Sequence, residues 1–320
     1  MSIVFTKEPV LTTVQDLGRR GYQKLGINPN GAMDRTAARI ANILVGNDET
    51  SAVLEMHFPA GEIKFETGAV FSLGGAEYGA ELDGERLDVW KSYASGNGSV
   101  LRFVSRNRGT RAYLAVSGGF DVAPWLGSTS TNLTAKAGGF GGRRLRKDDR
   151  VEIKETDAVA GLWTSRSVVP FYSRFPTVRA VAGPEYESLT EASRELLVSE
   201  TFTVGADSNR MGFRLTGKPL AREPEAEMVS SPVTFGTVQL LPDGQLIILM
   251  ADHQTTGGYP RIANVASFDL PLVAQLDAGY KIGFELISIE EAEELLLGFE
   301  RELVFLKMGV RFARTSSPPG

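Results

Sequence analysis

Ten consecutive residues late in the chain carry most of the side-chain types that catalyse reactions or bind small molecules. They are Asp252, His253, Gln254, Thr255, Thr256, Gly257, Gly258, Tyr259, Pro260 and Arg261. An apolar run of strand length, residues 246–250, comes directly before them, and the two glycines let the backbone turn sharply or approach a ligand closely. A buried strand that ends in a polar, glycine-containing loop is a common way to present side chains at a pocket. The alternative is an ordinary turn whose polar groups bond to one another, because loops favour these residue types in any case.

The chemistry open to this segment is limited by what the chain lacks. There is no cysteine, which excludes disulfides, zinc–thiolate sites, iron–sulfur clusters and thiol nucleophiles. His57 and His253 are the two histidines, so we expect no metal site. His57 lies in strand-like sequence and is expected to be a packed side chain. Polar neighbours and a glycine-rich loop make His253 the better candidate for proton transfer.

Charge and composition restrict the class of partner. The formal net charge of -5 argues against general nucleic-acid binding, which needs a basic surface. The first residues lack the basic and apolar regions of a signal peptide, and no apolar run reaches the roughly 18–20 residues of a membrane span. We therefore expect a cytoplasmic protein that binds neither nucleic acid nor membranes.

Two glycine-rich segments resemble anion-binding loops only in part. Residues 212–218 match the first seven positions of the phosphate-binding P-loop, but Pro219 replaces the hydroxyl residue that binds magnesium. No helix signal follows, so a chance match is the better interpretation. Residues 138–147 join four glycines to four positive charges. They either close over an anion or form a solvated hairpin arm. The chemistry alone favours the hairpin arm. No biotin attachment sequence is present, so we expect no covalent biotin on this chain.

Short apolar runs separated by glycine-containing turns predict a mainly β protein with a few helices. In the first half, strands are expected near residues 63–65, 70–73, 101–104, 113–116 and 151–153. Asp34 is the expected N-cap of a helix over residues 35–45. In the second half, strands are expected near residues 178–182, 202–204, 238–241, 246–250 and 282–287, and helices over 188–198 and 270–276. Ser288 and Glu291 form a capping box for a last helix, which Gly298 is expected to interrupt or end.

The domain boundary is expected where regular signals fade and two prolines, Pro170 and Pro176, occur. We predict an N-terminal half over residues 1–155, a linker over 156–176, a C-terminal half over 177–310 and a tail over 311–320. Both halves mix many short strands with one or two helices. That shared content suggests duplication, although no aligned repeat is visible.

Several stretches, in the same order from about residue 6 to about residue 290, resemble one known family. They are residues 12–22 (TTVQDLGRRGY), 31–34 (GAMD), 41–47 (ANILVGN), 127–131 (GSTST), 208–212 (SNRMG) and 254–260 (QTTGGYP). The family is that of the biotin-dependent carboxyltransferases, also called allophanate hydrolase subunit 2, which includes KipA-like proteins. The resemblance implies a pair of cyclophilin-like β-barrel halves, which agrees in fold class with the β-rich halves inferred above.

The resemblance also implies an activity. For a chain of this length it implies the C subunit of a bacterial three-component 5-oxoprolinase, which opens 5-oxoproline to L-glutamate at the expense of ATP. The expected partners are a small-molecule amide substrate and two further proteins, a KipI-like B subunit together with an A subunit. ATP is implied for the complex. Two alternatives stay open: a biotin-dependent carboxyltransferase acting on a urea-like amide, and a non-enzymatic KipA-like antagonist of a kinase-inhibitor protein.

The expected site follows from the same motifs. We expect Asp252 and His253 to act in acid–base chemistry or to orient the reacting groups. Arg210 is expected to contact an anionic group. The residues expected to bind or line the substrate pocket are Gln254, Thr255, Thr256, Gly257, Gly258, Tyr259, Asp34, Asn209 and Arg210.

Overall fold

The computed structural model describes residues 1–154, 158–223 and 228–316. Within these ranges the chain is mainly β with a few helices, which confirms the predicted fold class. It divides into two compact units. The first contains Met1–Arg19, Asn30–Phe171 and the chain from Glu300 onward, and the second contains Arg20–Pro29 and Tyr172–Phe299.

In its described residues, the first unit contains eleven strands and one helix before the C-terminal helix. The strands are β1 (Ser2–Lys7), β2 (Leu11–Gln15), β3 (Val53–His57), β4 (Glu62–Phe65), β5 (Val70–Glu77), β6 (Ala80–Leu82), β7 (Glu85–Arg86), β8 (Lys91–Ala94), β9 (Val100–Phe103), β10 (Arg108–Val116) and β11 (Arg150–Glu152), and the helix is α1 (Arg35–Leu44). One sheet has the order β11-β1-β4-β9-β6-β7, and the other has the order β2-β3-β10-β5-β8. All five strands predicted in this half are present, shifted by a few residues at their ends.

Strand alternation explains the core of this unit. Ile3 and Phe5 of β1 and Ile63 of β4 are fully buried, and they belong to the same apolar cluster as Leu54 of β3 and Leu114 of β10. Successive side chains of a strand point to opposite faces, so each sheet contributes one apolar face to this cluster. A second cluster, which includes Ala37, Ala41, Val53 and Tyr113, packs α1 against the sheet of β3 and β10.

The second unit is built on a closed barrel. Its elements are β12 (Thr177–Ala182), α2 (Glu191–Ser199), β13 (Phe202–Val204), β14 (Gly212–Thr216), β15 (Ser231–Pro232), β16 (Thr237–Leu240), β17 (Leu246–Leu249), β18 (Thr256–Gly257), β19 (Arg261–Val265), α3 (Leu270–Ala274) and β20 (Lys281–Leu286). The barrel order is β12-β19-β16-β17-β14-β13-β20, and the parallel pairing of β12 with β20 closes it. Strand β14 occupies the segment that partly matched a P-loop, so that segment is a barrel strand.

The compact units differ from the predicted continuous halves at two places. Residues 20–29 belong to the second unit, and the residues from Glu300 onward return to the first. The passage to the second unit after Phe171 falls within the predicted linker. Residues 156–157 of the predicted linker and 317–320 of the predicted tail lie outside the described residues.

The prediction that Gly298 would interrupt or end the last helix is wrong. Helix α4 (Ile289–Ser316) continues through it and through most of the predicted tail. Glycine in a helix interior costs about 1 kcal/mol relative to alanine. Contacts of the later turns offset this cost, since Leu303 is fully buried and Lys307 pairs with Glu49 at 2.7 Å. The predicted capping box at the start of α4 is confirmed, because the backbone N–H of Ser288 donates to Glu291 and that of Glu291 donates to the Ser288 hydroxyl.

No helix within the described ranges is both long enough and apolar enough to cross a bilayer.

Glu62 makes the stability of the first unit depend on acid pH. Burial alone would raise its pKa, but hydrogen bonds from Lys7, Thr6 and Arg102 outweigh burial and lower the pKa to about 2. A carboxylate with a lowered folded-state pKa stabilises the protein above its ordinary pKa, and this contribution disappears as the pH falls from about 4.5 towards 2. Lys7 and Arg102 are exposed and salt screens them, so we expect the contribution to be only about 1 kcal/mol.

We therefore expect the free energy of unfolding of Glu62→Gln to fall less steeply than that of the natural chain between pH 5 and about pH 2.5. Urea unfolding at a series of pH values measures this slope, with the exposed Glu152→Gln as the control. An unchanged slope in the Glu62 variant would show that the ion pairs contribute nothing.

Candidate functional site

The predicted polar loop follows β17 in the second unit, as the sequence indicated. Met250 and Ala251 are buried and carry the chain out of the barrel strand. The backbone N–H of Met250 donates to the carbonyl of Met211 at 3.0 Å, and that of Asp252 donates to the carbonyl of Arg210 at 2.7 Å. The loop at residues 208–212 and the start of the loop at residues 252–261 are therefore joined through their backbones.

Arg210 and Asp252 reinforce this junction with a bidentate ion pair. The Arg210 Nε donates to Asp252 Oδ2 at 3.0 Å, and its Nη2 donates to Asp252 Oδ1 at 2.9 Å. The two side chains are only 10% and 11% exposed. The Nδ2 group of Asn28 also donates to the Asp252 carbonyl, at 2.8 Å. Both oxygens of Asp252 are thus engaged by Arg210, an arrangement suited to orienting the loop.

His253 is buried, with an exposed fraction of 2%. Its Nδ1 lies 2.5 Å from the carbonyl oxygen of Gln254. A carbonyl oxygen can only accept a hydrogen bond, so Nδ1 carries a proton and donates it to this contact. The ring therefore fixes the backbone of Gln254, the residue that follows it.

The middle of the loop forms a short ladder with the segment before β16. Residues 256–257 pair with residues 231–232, and the N–H of Val233 donates to the Thr255 carbonyl at 3.2 Å. Thr256 is exposed and Thr255 is half-buried. A Cβ added at Gly257 would lie 2.6 Å from the Gln239 side-chain nitrogen, so that side chain would have to shift, whereas at Gly258 the nearest atom would be 3.6 Å away.

A second ion pair holds the far end of the loop. The Arg261 guanidinium donates to both oxygens of Glu185, at 3.0 and 2.7 Å, and its Nη1 donates to the Pro232 carbonyl at 3.1 Å. The hydrogen bonds from the Arg261 side chain lower the pKa of Glu185, so this carboxyl stays charged. The loop is therefore clamped by an Arg–carboxylate pair at each end.

Between the clamps, the loop lines two neighbouring cavities. The smaller has a volume of about 400 Å³ and is lined by Arg214, Gln239, Leu241, Pro242, Asp243, Ile247, Gln254 and Tyr259. The larger, about 580 Å³, is lined by Leu220, Ala221, Arg222, Met228, Leu240, Leu241, Pro242, Asp243, Gly244, Gly258, Tyr259 and Pro260. Tyr259 is 44% exposed and borders both. Its ring and hydroxyl therefore offer an apolar face and a hydrogen-bonding group to a small ligand.

The other predicted site residues occupy different positions. Asn209 is exposed, and its Oδ1 accepts from the N–H of Met211 at 2.8 Å. Asp34 belongs to the first unit, where it is fully buried and accepts from the N–H of Ala37 at 2.8 Å as the N-cap of α1. The cap prediction is confirmed. The Asp34 N–H also donates to the phenol of Tyr113, whose pKa burial raises well above its ordinary value.

No group of acidic or histidine side chains that could hold a metal ion occurs in the part of the chain that the structure describes. The groups around the two cavities are amide, phenol, guanidinium and carboxylate. They suit recognition of a small polar molecule by hydrogen bonds and charge.

The chain matches a known protein family. The family model described as "Carboxyltransferase domain, subdomain A and B" matches residues 25–286 of this chain. The chain belongs to this carboxyltransferase-domain family.

Two bacterial relatives of this carboxyltransferase-domain protein match over most of their length. It is 40% identical to the 5-oxoprolinase C subunit of Escherichia coli over 289 residues, which are 88% of this chain and 90% of that protein. It is 38% identical to the 5-oxoprolinase C subunit of Haemophilus influenzae, with the same coverage.

A solved structure gives a further match. The crystal structure of the K. lactis urea amidolyase has a TM-score of 0.90 and 26% identity, covering 95% of this chain. This chain spans only 20% of that protein.

In this carboxyltransferase-domain chain, two further motifs meet at one buried carboxylate of the first unit. Asp16 accepts hydrogen bonds from five groups: the N–H of Gly18, the hydroxyls of Ser128, Thr129 and Ser130, and the N–H of Thr129. Residues 12–22 and 127–131, which carried part of the family resemblance, therefore hold each other in place.

Sequence reasoning missed several residues of the cavities. Gln239 is fully buried, and its side-chain nitrogen lies 3.3 Å from the Tyr259 carbonyl oxygen. The available signal was a single glutamine inside the apolar run at residues 238–241. The turn signal at residues 242–244, Pro-Asp-Gly, was also present. Neither signal identifies a cavity without knowing that β16 and β17 lie beside the loop at residues 252–261.

Proposed function

We propose that this chain is the C subunit of a three-component, ATP-dependent 5-oxoprolinase that opens 5-oxoproline to L-glutamate. The observation that carries this proposal is the likeness to two 5-oxoprolinase C subunits along nearly the whole of both proteins. The proposed partners are a KipI-like B subunit together with an A subunit. ATP is assigned to the complex, because this chain contains no complete phosphate-binding sequence motif.

The smaller cavity supports a site for the lactam. 5-Oxoproline offers an amide N–H, an amide oxygen and a carboxylate. Gln254 and Tyr259 supply groups that both donate and accept hydrogen bonds, and Arg214 supplies a cation on the same cavity wall. In the proposed reaction, ATP phosphorylates the amide oxygen and water attacks the activated carbon. The ring C–N bond then breaks and its nitrogen takes up protons to become the amine of glutamate, and a second water hydrolyses the resulting acyl phosphate to the carboxylate and free phosphate.

Two contacts at the start of the loop suggest how the loop contributes. Asp252 is engaged by Arg210, and the protonated Nδ1 of His253 is engaged by the Gln254 carbonyl. We therefore assign Asp252 an orienting role, and we assign His253 the positioning of Gln254. Binding by Gln254 and Tyr259 in a preformed loop lowers the entropy lost when the substrate is held.

We expect Tyr259→Ala to raise the KM for 5-oxoproline about tenfold, because one well-placed aromatic contact and one hydrogen bond contribute on the order of 1.4 kcal/mol together. Tyr259→Phe keeps the ring and removes only the hydroxyl, so its KM should lie between those of the natural chain and of Tyr259→Ala. The measurement is glutamate formation by the three-component complex, and Tyr280→Ala is the control because Tyr280 borders neither cavity. An unchanged KM in Tyr259→Ala would remove this tyrosine from the site.

The function itself is tested by glutamate formation from 5-oxoproline and ATP, with and without this chain. We expect product only when this chain is added to the other two components. Equal rates with and without it would overturn the proposal.

A second function is favoured by one specific observation. The structure resembles that of a urea amidolyase at a TM-score of 0.90, and the family is a carboxyltransferase-domain family. A carboxyltransferase would move a carboxyl group from biotin, carried by another protein, to a urea-like amide. Transfer of labelled carboxyl from carboxybiotin to urea, in the absence of glutamate formation, would support this second function over the first.

A further inference from the structure

The later turns of α4 have two faces of different character. Leu303 is fully buried and Val310 is 6% exposed, and both point into the first unit. Polar contacts fix the same turns: Arg39 pairs with Glu300 at 2.6 Å, Lys307 with Glu49 at 2.7 Å, and Arg314 donates to the Gly46 carbonyl at 3.1 Å. The helix is thereby held rigidly along one side.

The opposite face carries four large exposed apolar side chains. Val304, Phe305, Met308 and Phe312 are 50%, 64%, 59% and 73% exposed. Spacings of three and four residues place them on one stripe of a helix with 3.6 residues per turn. Exposed apolar patches of this kind mark interaction surfaces. The family model ends at residue 286, so this stripe lies outside the matched residues.

We propose that this stripe binds the same stripe of a second copy of this chain, with the two helices antiparallel. The helix is complementary to itself in this orientation. A twofold axis near residue 307 brings Phe305 opposite Gly309 of the second copy, and Phe305 of the second copy opposite Gly309. Gly309 leaves room for the ring, because an added Cβ there would meet no atom within 4 Å.

The same axis also pairs a cation with an aromatic ring. Arg301 is exposed and lies on the stripe, and the axis places it opposite residue 313 of the second copy, within about 1.5 Å along the helix of Phe312. A guanidinium over an aromatic face is an attractive contact, and the twofold axis produces it twice. An apolar helix whose own side chains did not complement one another would favour an unrelated partner. Here the bulky side chains and the groups that accommodate them belong to the same helix.

The size of the contact sets its strength. Residues 301–315 span roughly 22 Å at 1.5 Å per residue, so one helix pair buries less than the roughly 1,200–2,000 Å² of a standard stable interface. We therefore expect a weak dimer, with a dissociation constant on the order of tens of micromolar.

Single cysteines test the geometry directly, because the natural chain has none. Met308→Cys lies close to the axis, where the two copies of the residue are offset by only about 3 Å along the helices. It should form a disulfide-linked dimer readily under mild oxidation. Phe312→Cys should not, since its two copies are offset by about 15 Å, beyond the reach of a disulfide. Equal linking of both variants, or none by Met308→Cys, would overturn the antiparallel contact.

Sedimentation of the full chain tests the dimer itself. At about 100 µM the natural chain should be largely dimeric, and Phe305→Asp should weaken dimerisation at least tenfold. Val198→Asp, at an exposed valine of α2, should leave it unchanged, and thermal unfolding would verify that both variants are folded. A natural chain that stays monomeric at this concentration, or equal effects of both substitutions, would contradict the proposal.

Discussion

Replacing Arg210 with methionine is expected to lower the free energy of unfolding of the second unit by about 3–5 kcal/mol. Removing one partner of a nine-tenths-buried ion pair leaves the other charge in a poorly solvated place. Asp252 would then lose both of its side-chain bonds to Arg210, at 3.0 and 2.9 Å. Because Asp252 begins the loop at residues 252–261, catalytic activity of the complex should fall further than stability alone explains.

The matched control is the exposed pair of Arg214 and Asp207, whose side chains are 51% and 64% exposed. Asp207→Asn should cost only about 0–1 kcal/mol. Urea unfolding followed by fluorescence measures both. A double variant, Arg210→Met with Asp252→Leu, should recover part of the lost stability, because no charge is then left unpaired. If Arg210→Met costs no more than Asp207→Asn, the pair does not hold the loop.

The sequence predicted local features of the fold correctly where one short stretch determined them. The strand at residues 246–250 and the polar loop after it followed from an apolar run and two glycines. The N-cap at Asp34 and the capping box at Ser288 depend on residues three positions apart. Such patterns are local, and chain neighbours satisfy them.

Contacts between distant residues could not be predicted in the same way. Arg210 and Asp252 were both expected in the site, but their pairing across 42 residues depends on the antiparallel register of β14 and β17. Gln239 lines the smaller cavity because β16 pairs with β17 and β19 in the barrel. The continuation of α4 past Gly298 depends on partners of the first unit, Arg39 and Glu49. In each case a long-range contact decides the outcome, and at Gly298 it outweighs local helix propensity.

Asp16 shows the same division between motif and contact. The motif at residues 12–22 marked this segment as part of the family resemblance, but it did not indicate that Asp16 is a structural centre. Its side chain is buried. Three of the residues that donate hydrogen bonds to it, Ser128, Thr129 and Ser130, come more than a hundred positions later in the chain. The segment at residues 127–131 has little regular structure of its own, so its bonds to this carboxylate help to fix its path.

We expect Asp16→Asn to lower the free energy of unfolding of the first unit by about 3 kcal/mol or more. Hydrogen bonds to a charged acceptor contribute roughly 1.5–3 kcal/mol each, and the asparagine amide would turn a donor towards groups that are themselves donors. Asp48→Asn is the matched control, because Asp48 also accepts from a neighbouring N–H and hydroxyl, those of Thr50, but is exposed. Water replaces lost bonds at an exposed site, so the control should cost less than about 1 kcal/mol.

Urea unfolding of both variants measures the difference, and limited proteolysis near residues 127–131 reports whether that segment is released. Increased cleavage there in Asp16→Asn, with no change in Asp48→Asn, is the expected pattern. Equal stability of the two variants would mean that the hydroxyls of residues 128–130 hold the segment without the carboxylate, and the two family motifs would then have to be connected by their backbone contacts instead.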